Sequence, residues 1–273
     1  MKIHLLTIAF GSTLLVAANA ALITYDGFAY TPGQSLTSQP NWSAIGSGDS
    51  ITVASGNLTV TGLQPATGNL VNFTGDGADA RLTFAPQTTD TYFSLAFRIT
   101  DSALLDTAGG YFASFSDGAS KLGSLVWLRS HGSGRYDIGG SVSPTSTIGW
   151  NTNEGNGFQV GLTMFLIASY EFLSGSNDDT TNIWFTEDPF LGSLSFGGPA
   201  PGSAIQVAGG VELTQVSAFT LTQLSSTGTP SIQIDELRVG HSYAEVSPVP
   251  EPSTVSLFAG AASLLLARRR RSH

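Results

Sequence analysis

Alternation of apolar and polar residues over short segments is the feature that most limits what this chain can fold into. In YFSLAFRIT every second residue, from Phe93 to Ile99, points to one side of an extended strand. Further short segments of this kind, bounded by Gly, Ser, Asn or Pro, are NLTVTGL, SLVWLRS, NIWFT and SIQIDELRV. Residues 21–247 contain no helical apolar stripe with caps, so the pattern predicts an all-β fold, an antiparallel sandwich.

Two strands carry additional information. LTMFLIASYEF is apolar on both faces, which predicts a central strand buried on both sides. In SIQIDELRV the apolar spacing changes phase between Ile234 and Leu237. A β-bulge at Asp235–Glu236 would turn the apolar pairs before and after it toward the same face. In the alternative, the strand has no bulge and is buried partly on both faces. The sequence leaves both interpretations open.

The first twenty residues have the pattern of a cleaved secretory signal. Lys2 precedes an apolar stretch from Leu5 to Val16. Small residues then occupy the positions that a signal peptidase reads, at Ala18 and Ala20. We therefore expect a signal helix over residues 1–20 and a mature start at Ala21.

The other end of the sequence predicts a membrane anchor. A rigid tripeptide opens it: Pro250, Glu251 and Pro252. Residues 253–267 carry no charge and would span about 22 Å as a helix, against a hydrocarbon core of about 30 Å. Four arginines follow and would remain on the cytoplasmic side: Arg268, Arg269, Arg270 and Arg271. A buried core helix is the alternative, but a packed domain would have to neutralise all four.

A signal, a domain, Pro-Glu-Pro, an apolar run and an arginine cluster, in this order, resemble the PEP-CTERM class of bacterial surface proteins. The resemblance is carried by residues 248–273 and the N-terminal signal. It implies export, transient anchoring through a transmembrane helix at about 253–267, and processing near Pro-Glu-Pro by exosortase, a membrane transpeptidase. The domain at 21–247 would then reach the cell surface or extracellular matrix.

Composition limits the partners of that domain. Residues 21–247 carry nineteen acidic and six basic side chains, a net charge of −13. Such a surface argues against nucleic acid as a partner and suits divalent cations or solubility by self-repulsion. The chain has no cysteine, which excludes disulfides and cysteine metal sites.

A second resemblance concerns the domain itself. TYDGFAY, ASYEFLSGSNDDTTNIWF and IQIDELRVG are similar, in that order, to laminin-G-like and concanavalin-A-like lectin/glucanase domains. The resemblance implies a jelly-roll sandwich with neighbouring first and last strands. It also implies a calcium ion where those strands meet, with Asp235 and Asp26 as ligands. Loop acids offer further ligands or simply cap turns: Asp76, Asp79, Asp178 and Asp179.

Catalysis is not expected. Glucanases of that fold carry acids at i, i+2 and i+4 on one strand, whereas no two acids here are two or four positions apart. A glycoside hydrolase built from acids on different strands is the remote alternative.

Two tryptophans in polar segments, Trp150 and Trp42, are candidates for stacking on sugar rings, whereas Trp127 and Trp184 are expected in the core. The sequence thus predicts a non-catalytic exported surface protein. The alternative is a carbohydrate-binding module, with or without calcium, whose partner is an extracellular polysaccharide.

Overall fold

The computed structural model describes residues 22–61, 63–188, 194 and 199–247. The predicted signal helix and C-terminal membrane helix lie outside these residues. The described strands are β1 (Thr24–Asp26), β2 (Trp42–Ile45), β3 (Asp49–Ser50), β4 (Thr52–Ala54), β5 (Leu70–Phe73), β6 (Gly77–Gln87), β7 (Thr91–Asp101), β8 (Gly110–Ser116), β9 (Leu122–Gly132), β10 (Arg135–Ser141), β11 (Gly149–Asn151), β12 (Phe158–Gln159), β13 (Thr163–Glu171), β14 (Thr180–Glu187), β15 (Ile205–Ala208), β16 (Val216–Leu221) and β17 (Ser231–Gly240). A 3-10 helix covers Leu36–Ser38 and one short α-helix, α1, covers Tyr243–Val246.

The strands form two sheets. Sheet A has the order β15-β14-β13-β7-β17-β5-β4, with β1 paired to β17. Sheet B has the order β11-β10-β9-β8-β16-β6-β2, with β12 on β10 and β3 on β6. Within the described part of the chain every pairing is antiparallel except the two-residue contact of β3 with β6. The predicted all-β antiparallel sandwich is confirmed, and the first and last strands, which were expected to be neighbours, pair directly.

The main core lies between the two sheets and follows the alternation seen in the sequence. Phe93 of β7 meets Phe115 and Phe219 of sheet B, each with a ring-centroid separation of 5.0 Å. The alternate residues of β7 up to Ile99 join the same core. The period-2 pattern therefore reports the contact between the two layers.

A second core covers part of the outer face of sheet A. β13 is buried on both sides, as predicted, because Leu166 faces the main core and Phe165 faces the second. The second core also contains Leu58 and Val60, together with Tyr243 and Val246 of α1.

The prediction of a strand at NLTVTGL is wrong. Residues 57–61 have no strand pairing; Leu58 and Val60 instead pack onto sheet A as an unpaired segment. The backbone N–H of Leu58 donates to the carboxylate of Asp235 at 2.9 Å. A side chain thus provides the hydrogen-bond acceptor that a neighbouring strand would otherwise supply. Here the alternating apolar residues pack against sheet A on one side and do not belong to a hydrogen-bonded pair of strands.

The last strand contains the bulge. Asp235 pairs with Ala96 and Arg238 with Ser94, so three steps along β17 match two along β7. Glu236 supplies the extra residue, with a φ of 56°. The bulge interpretation of the phase change is therefore confirmed. The apolar residues before and after it all face the main core: Ile232, Ile234, Leu237 and Val239.

We predict that Leu237→Ala lowers the free energy of unfolding by about 2–5 kcal/mol, because the bulge turns Leu237 into the core. Gln233→Ala, on the outer face of the same strand, is expected to change it by no more than about 0.5 kcal/mol. Urea denaturation of residues 22–247 measures both. Equal effects would mean that the bulge does not set the inward face.

Candidate functional site

The predicted calcium ligand Asp26 has protein donors around its carboxylate. Oδ1 accepts the backbone N–H of Phe28 at 2.7 Å, and Oδ2 accepts from Trp42 Nε1 at 2.7 Å and from the Tyr30 hydroxyl at 2.8 Å. The carboxylate thus ties the segment after β1 to the start of β2. Its part in binding calcium stays a prediction.

The second predicted ligand, Asp235, is completely buried. Its Oδ2 accepts from the backbone of Leu58 and its Oδ1 from that of Glu236, at 2.9 and 2.8 Å. Among the described residues it shares no hydrogen-bond donor with Asp26. Burial raises the pKa of Asp235 to about 7, against the smaller lowering effect of its two backbone donors.

The loop acids divide into two groups. Asp79 lies on the outer face of sheet B, where Oδ1 accepts the Gln223 N–H at 2.8 Å and burial raises the pKa of its carboxyl. Asp76 lies beside it in an isolated bridge to Leu224.

Asp178 and Asp179 instead meet Glu212, and ligand atoms of the three lie within 4.8 Å of one another. The sequence analysis did not include Glu212, because only the fold brings it to these two acids. Much of the like charge is offset by hydrogen bonds. Glu212 Oε1 accepts the Asp178 N–H at 2.6 Å, and Asp179 accepts from Tyr170 and Leu173 at 2.5 and 2.8 Å. Asp178 Oδ1 is buried and has no partner among the described residues. Within the described part of the chain, this group offers a cation its densest set of carboxylate oxygens.

The assignment of Trp42 as a sugar-stacking residue is wrong. Its side chain is only 5% exposed, it packs against Phe28, and its Nε1 donates to Asp26. The polar residues next to Trp42 in the sequence face solvent, whereas the Trp42 ring between them is buried. Polar neighbours therefore did not indicate an exposed ring. Trp127 and Trp184 are buried as expected, but Trp184 belongs to the second core and Trp127 lies on the outer face of sheet B.

Trp150 ends a row of residues across the outer face of sheet B. Tyr111 of β8 pairs with Trp127 of β9, which pairs with Gly139 of β10, which pairs with Trp150 of β11. Paired residues lie on the same face of a sheet, so three aromatic rings share this surface. We call Tyr111, Trp127 and Trp150 the aromatic row. The first two rings meet edge to face at 5.1 Å.

Gly139 is what allows the Trp150 ring to lie across β10. A Cβ at this position would lie 2.6 Å from Cε3 of Trp150, closer than real atoms approach. With no side chain there, the ring reaches Arg129 of β9, whose guanidinium carbon is 4.3 Å from the ring centroid. This is a cation–π contact.

A buried carboxylate organises the neighbouring side chains. Asp137 is 2% exposed; its Oδ2 accepts from Arg129 Nε at 2.9 Å and its Oδ1 faces His131 Nδ1 at 2.8 Å. Arg129 and His131 remain partly exposed, at 29% and 26%. We call Arg129, His131, Asp137 and Trp150 the Asp137 cluster.

Sequence reasoning did not find this cluster. The two-residue turn Ser133–Gly134 between β9 and β10 would by itself place Ser130 opposite Asp137, but a one-residue shift at His131 pairs Arg129 with Asp137 instead.

A polar groove of about 420 Å³ lies at an edge of the sandwich, between the outer face of sheet A and residues beside sheet B such as Asp49 and Gln223. Neighbouring strands place Gln233, Asn72 and Thr52 in one row along it. Thr52 Oγ1 donates to Asn72 Oδ1 at 2.7 Å. The groove has hydroxyl and amide groups but no aromatic row comparable to that of sheet B among its lining residues.

Comparison with known families gives one match. The model of the PEP-CTERM protein-sorting motif matches residues 248–271. The chain carries a PEP-CTERM sorting motif. The matched range contains the Pro-Glu-Pro tripeptide and all four arginines. No curated protein matches the chain.

Solved structures similar to the chain include three β-sandwich relatives of low identity. The globular domain of T. cruzi calreticulin has 11% identity and a TM-score of 0.46, covering 92% of this chain and 100% of its own. A putative β-glucanase from Mycobacterium abscessus has 11% identity and a TM-score of 0.40, covering 80% and 100%. Peanut lectin has 14% identity and a TM-score of 0.36, covering 79% and 95%. The fold assignment rests on the strand registers described above and does not depend on these values.

No helix within the described residues is both long and apolar enough to cross a membrane. The predicted anchor at 253–267 lies outside them.

We predict that Asp235 makes the domain more stable at pH 5 than at pH 8. Its folded pKa of about 7 lies above the unfolded value of 3.8, so the folded state keeps a proton that the unfolded state loses. This stabilisation is complete below about pH 4 and is lost as the pH rises through 7, with an upper limit on the order of 4 kcal/mol. Urea denaturation of residues 22–247 at both pH values measures it.

Asp235→Asn is expected to remove this contribution, whereas Asp101→Asn, at the exposed end of β7, is expected to keep the wild-type difference between pH 5 and pH 8. The prediction fails if Asp235→Asn and the wild type have the same pH dependence.

Proposed function

We propose that this chain is a non-catalytic exported protein whose β-sandwich is delivered to the cell surface or extracellular matrix by an exosortase-type system. The observation that carries the proposal is the PEP-CTERM motif at 248–271, which begins at the residue after the folded sandwich. The sandwich continues to that border: Ser247 is 1% exposed and the Ser94 hydroxyl donates to the carbonyl of Val246 at 2.7 Å. Sandwich and motif are therefore adjacent segments with separate tasks.

On the outer face of sheet B, Asp79 and Asp137 are too far apart to act as a catalytic pair. Asp79 and Asp137 both lie on its outer face, but β6 and β10 are four strands apart in the sheet order. At about 4.8 Å per strand the separation is about 19 Å. Glycoside hydrolysis uses two carboxyls about 5–9.5 Å apart. Asp137 is also already paired with Arg129.

We predict that sorting depends on the tail. In an exosortase-containing bacterium the full chain should be processed and found at the surface. A variant lacking residues 248–273 should be released into the medium. A variant with asparagine in place of Arg268–Arg271 should be mis-sorted, because the positive-inside signal is lost.

Cell fractionation with immunoblotting measures location and size, and an exosortase-deletion strain provides the control. In that strain the full chain should remain unprocessed. Surface display of the variant without its tail would contradict the proposal.

Carbohydrate binding by the sandwich is a second candidate, favoured by the aromatic row. Sugar rings pack their apolar faces on aromatic side chains, and here the row on one sheet face has Tyr111 at one end and Trp150 at the other, with the buried Trp127 ring between them. Tyr111 and Trp150 are partly exposed. Hydroxyl and charged groups adjoin them, as a sugar site requires.

A glycan array probed with the wild type and with Trp150→Ala tests this candidate. We expect binding by the wild type and at least a tenfold loss in the variant. Trp184→Phe, in the second core on the other sheet, is the control and is expected to keep binding. Parallel arrays in calcium and in chelator test the predicted calcium dependence. Absence of wild-type binding to every glycan would remove the candidate.

A further inference from the structure

We infer that the Asp137 cluster binds the carboxylate of an acidic polysaccharide, that is, a glycan containing uronate residues. The inference rests on the carbohydrate-binding candidate above and specifies its ligand class. It is built from one guanidinium, one imidazole and one aromatic ring held on adjacent strands.

Positive charge is scarce in this domain and is concentrated at this place. Residues 21–247 have only six Lys and Arg side chains among nineteen acids. Arg129 and Arg135, with His131 between them, lie on the single hairpin of β9 and β10. Arg135 Nη1 donates to the carbonyl of Gly157 at 3.1 Å, which holds the loop beside His131. The hairpin thus carries two arginines against the single carboxylate of Asp137, a net positive charge in an otherwise acidic domain.

Arg129 is held in place from two sides and presents its remaining side. Its Nε is bound to Asp137, and its guanidinium carbon lies 4.3 Å from the centroid of the Trp150 ring. Neither Nη nitrogen has a hydrogen-bond partner among the described residues. These two nitrogens form the edge of guanidinium that a carboxylate can bind through two parallel hydrogen bonds.

The other described arginines are used differently. Both Nη nitrogens of Arg81 donate to backbone carbonyls, of Gly118 and Ala119. Arg98 Nη2 donates to the Thr163 hydroxyl, and Arg238 is paired with Glu236. These contacts tie elements of the fold together. Arg129 instead is held through its Nε, which is bound to Asp137, and through the contact of its guanidinium with the Trp150 ring. Its two Nη nitrogens therefore remain available to a ligand.

His131 supplies a second polar contact on the same side. Its Nδ1 faces the carboxylate of Asp137, so Nε2 is directed away from it. In the neutral tautomer that donates from Nδ1, Nε2 accepts a hydrogen bond, which matches a sugar hydroxyl. Asp137 is a positioning residue for both side chains. A buried carboxylate is unfavourable unless it is paired, and here each of its oxygens faces one of the two groups.

The adjoining surface favours a saccharide over a simple anion. Tyr111, which is partly exposed, lies farther along the same face and offers apolar contact to a neighbouring sugar ring. The acids on nearby loops do not fill the site: the carboxylate of Asp106 accepts the N–H groups of Ala108 and Gly109. A uronate combines the ring and the planar carboxylate that these groups match.

The test compares matched ligands on the full chain purified in detergent. The probes are oligosaccharides of galacturonate, glucuronate and mannuronate, each in its free-acid form and in its carboxyl-reduced neutral form, measured by calorimetry. We expect at least one free acid to bind at least tenfold more tightly than its neutral partner. Arg129→Gln should lower its affinity by about tenfold to a hundredfold, the range for hydrogen bonds to a charged group.

Three further variants keep the result interpretable. Arg98→Gln makes the same change of charge on the outer face of sheet A and should alter the affinity less than about twofold. Arg129→Lys keeps the charge but loses the fork, so it should restore only part of the affinity. Trp150→Leu leaves the pair of Arg129 with Asp137 intact and should weaken free-acid binding. It replaces Arg129→Gln as the test if that variant fails to fold.

Each outcome decides the inference. Equal binding of free and neutral forms, or equal losses from Arg129→Gln and Arg98→Gln, would overturn the uronate site and leave carbohydrate binding standing. Binding of no oligosaccharide in this set would overturn the uronate site, and the glycan array then decides the broader candidate separately.

Discussion

The bulge in β17 is the feature on which much of this sandwich depends. β17 lies inside sheet A and pairs with β7, β5 and β1. A regular strand would bury either Ile234 or Leu237 in the main core, but the extra residue Glu236 lets both point inward. Asp235 follows the inward-facing Ile234 and so lies on the other side of the sheet, where it holds the N–H of Leu58 and with it the segment that forms the second core.

Glu236 extends this arrangement to the first strand. Its Oε1 accepts from the Tyr25 hydroxyl at 2.8 Å and from the backbone of Thr67 at 3.0 Å, and its other oxygen pairs with Arg238. Two adjacent acids therefore secure the N-terminal strand, the segment before β5 and the outer layer of sheet A. A carboxylate that accepts backbone N–H groups replaces strand pairing where the chain has none.

The two outer faces of the sandwich carry different features. The outer face of sheet A carries the second core and α1, and the sorting motif begins just after α1. The aromatic row and the Asp137 cluster occupy the outer face of sheet B.

The sequence by itself determined the fold class, the inward face of β7, the double burial of β13 and the sorting motif. Each of these is written in local order: a period of two, an apolar run or a short motif. Tertiary structure decided between the two interpretations of SIQIDELRV, because only the partner strand defines an extra residue. It also replaced the predicted strand NLTVTGL with an unpaired segment and buried Trp42. The Asp137 cluster depends on three strands and on the missing side chain of Gly139, and contacts between residues on different strands have no local signature in the sequence.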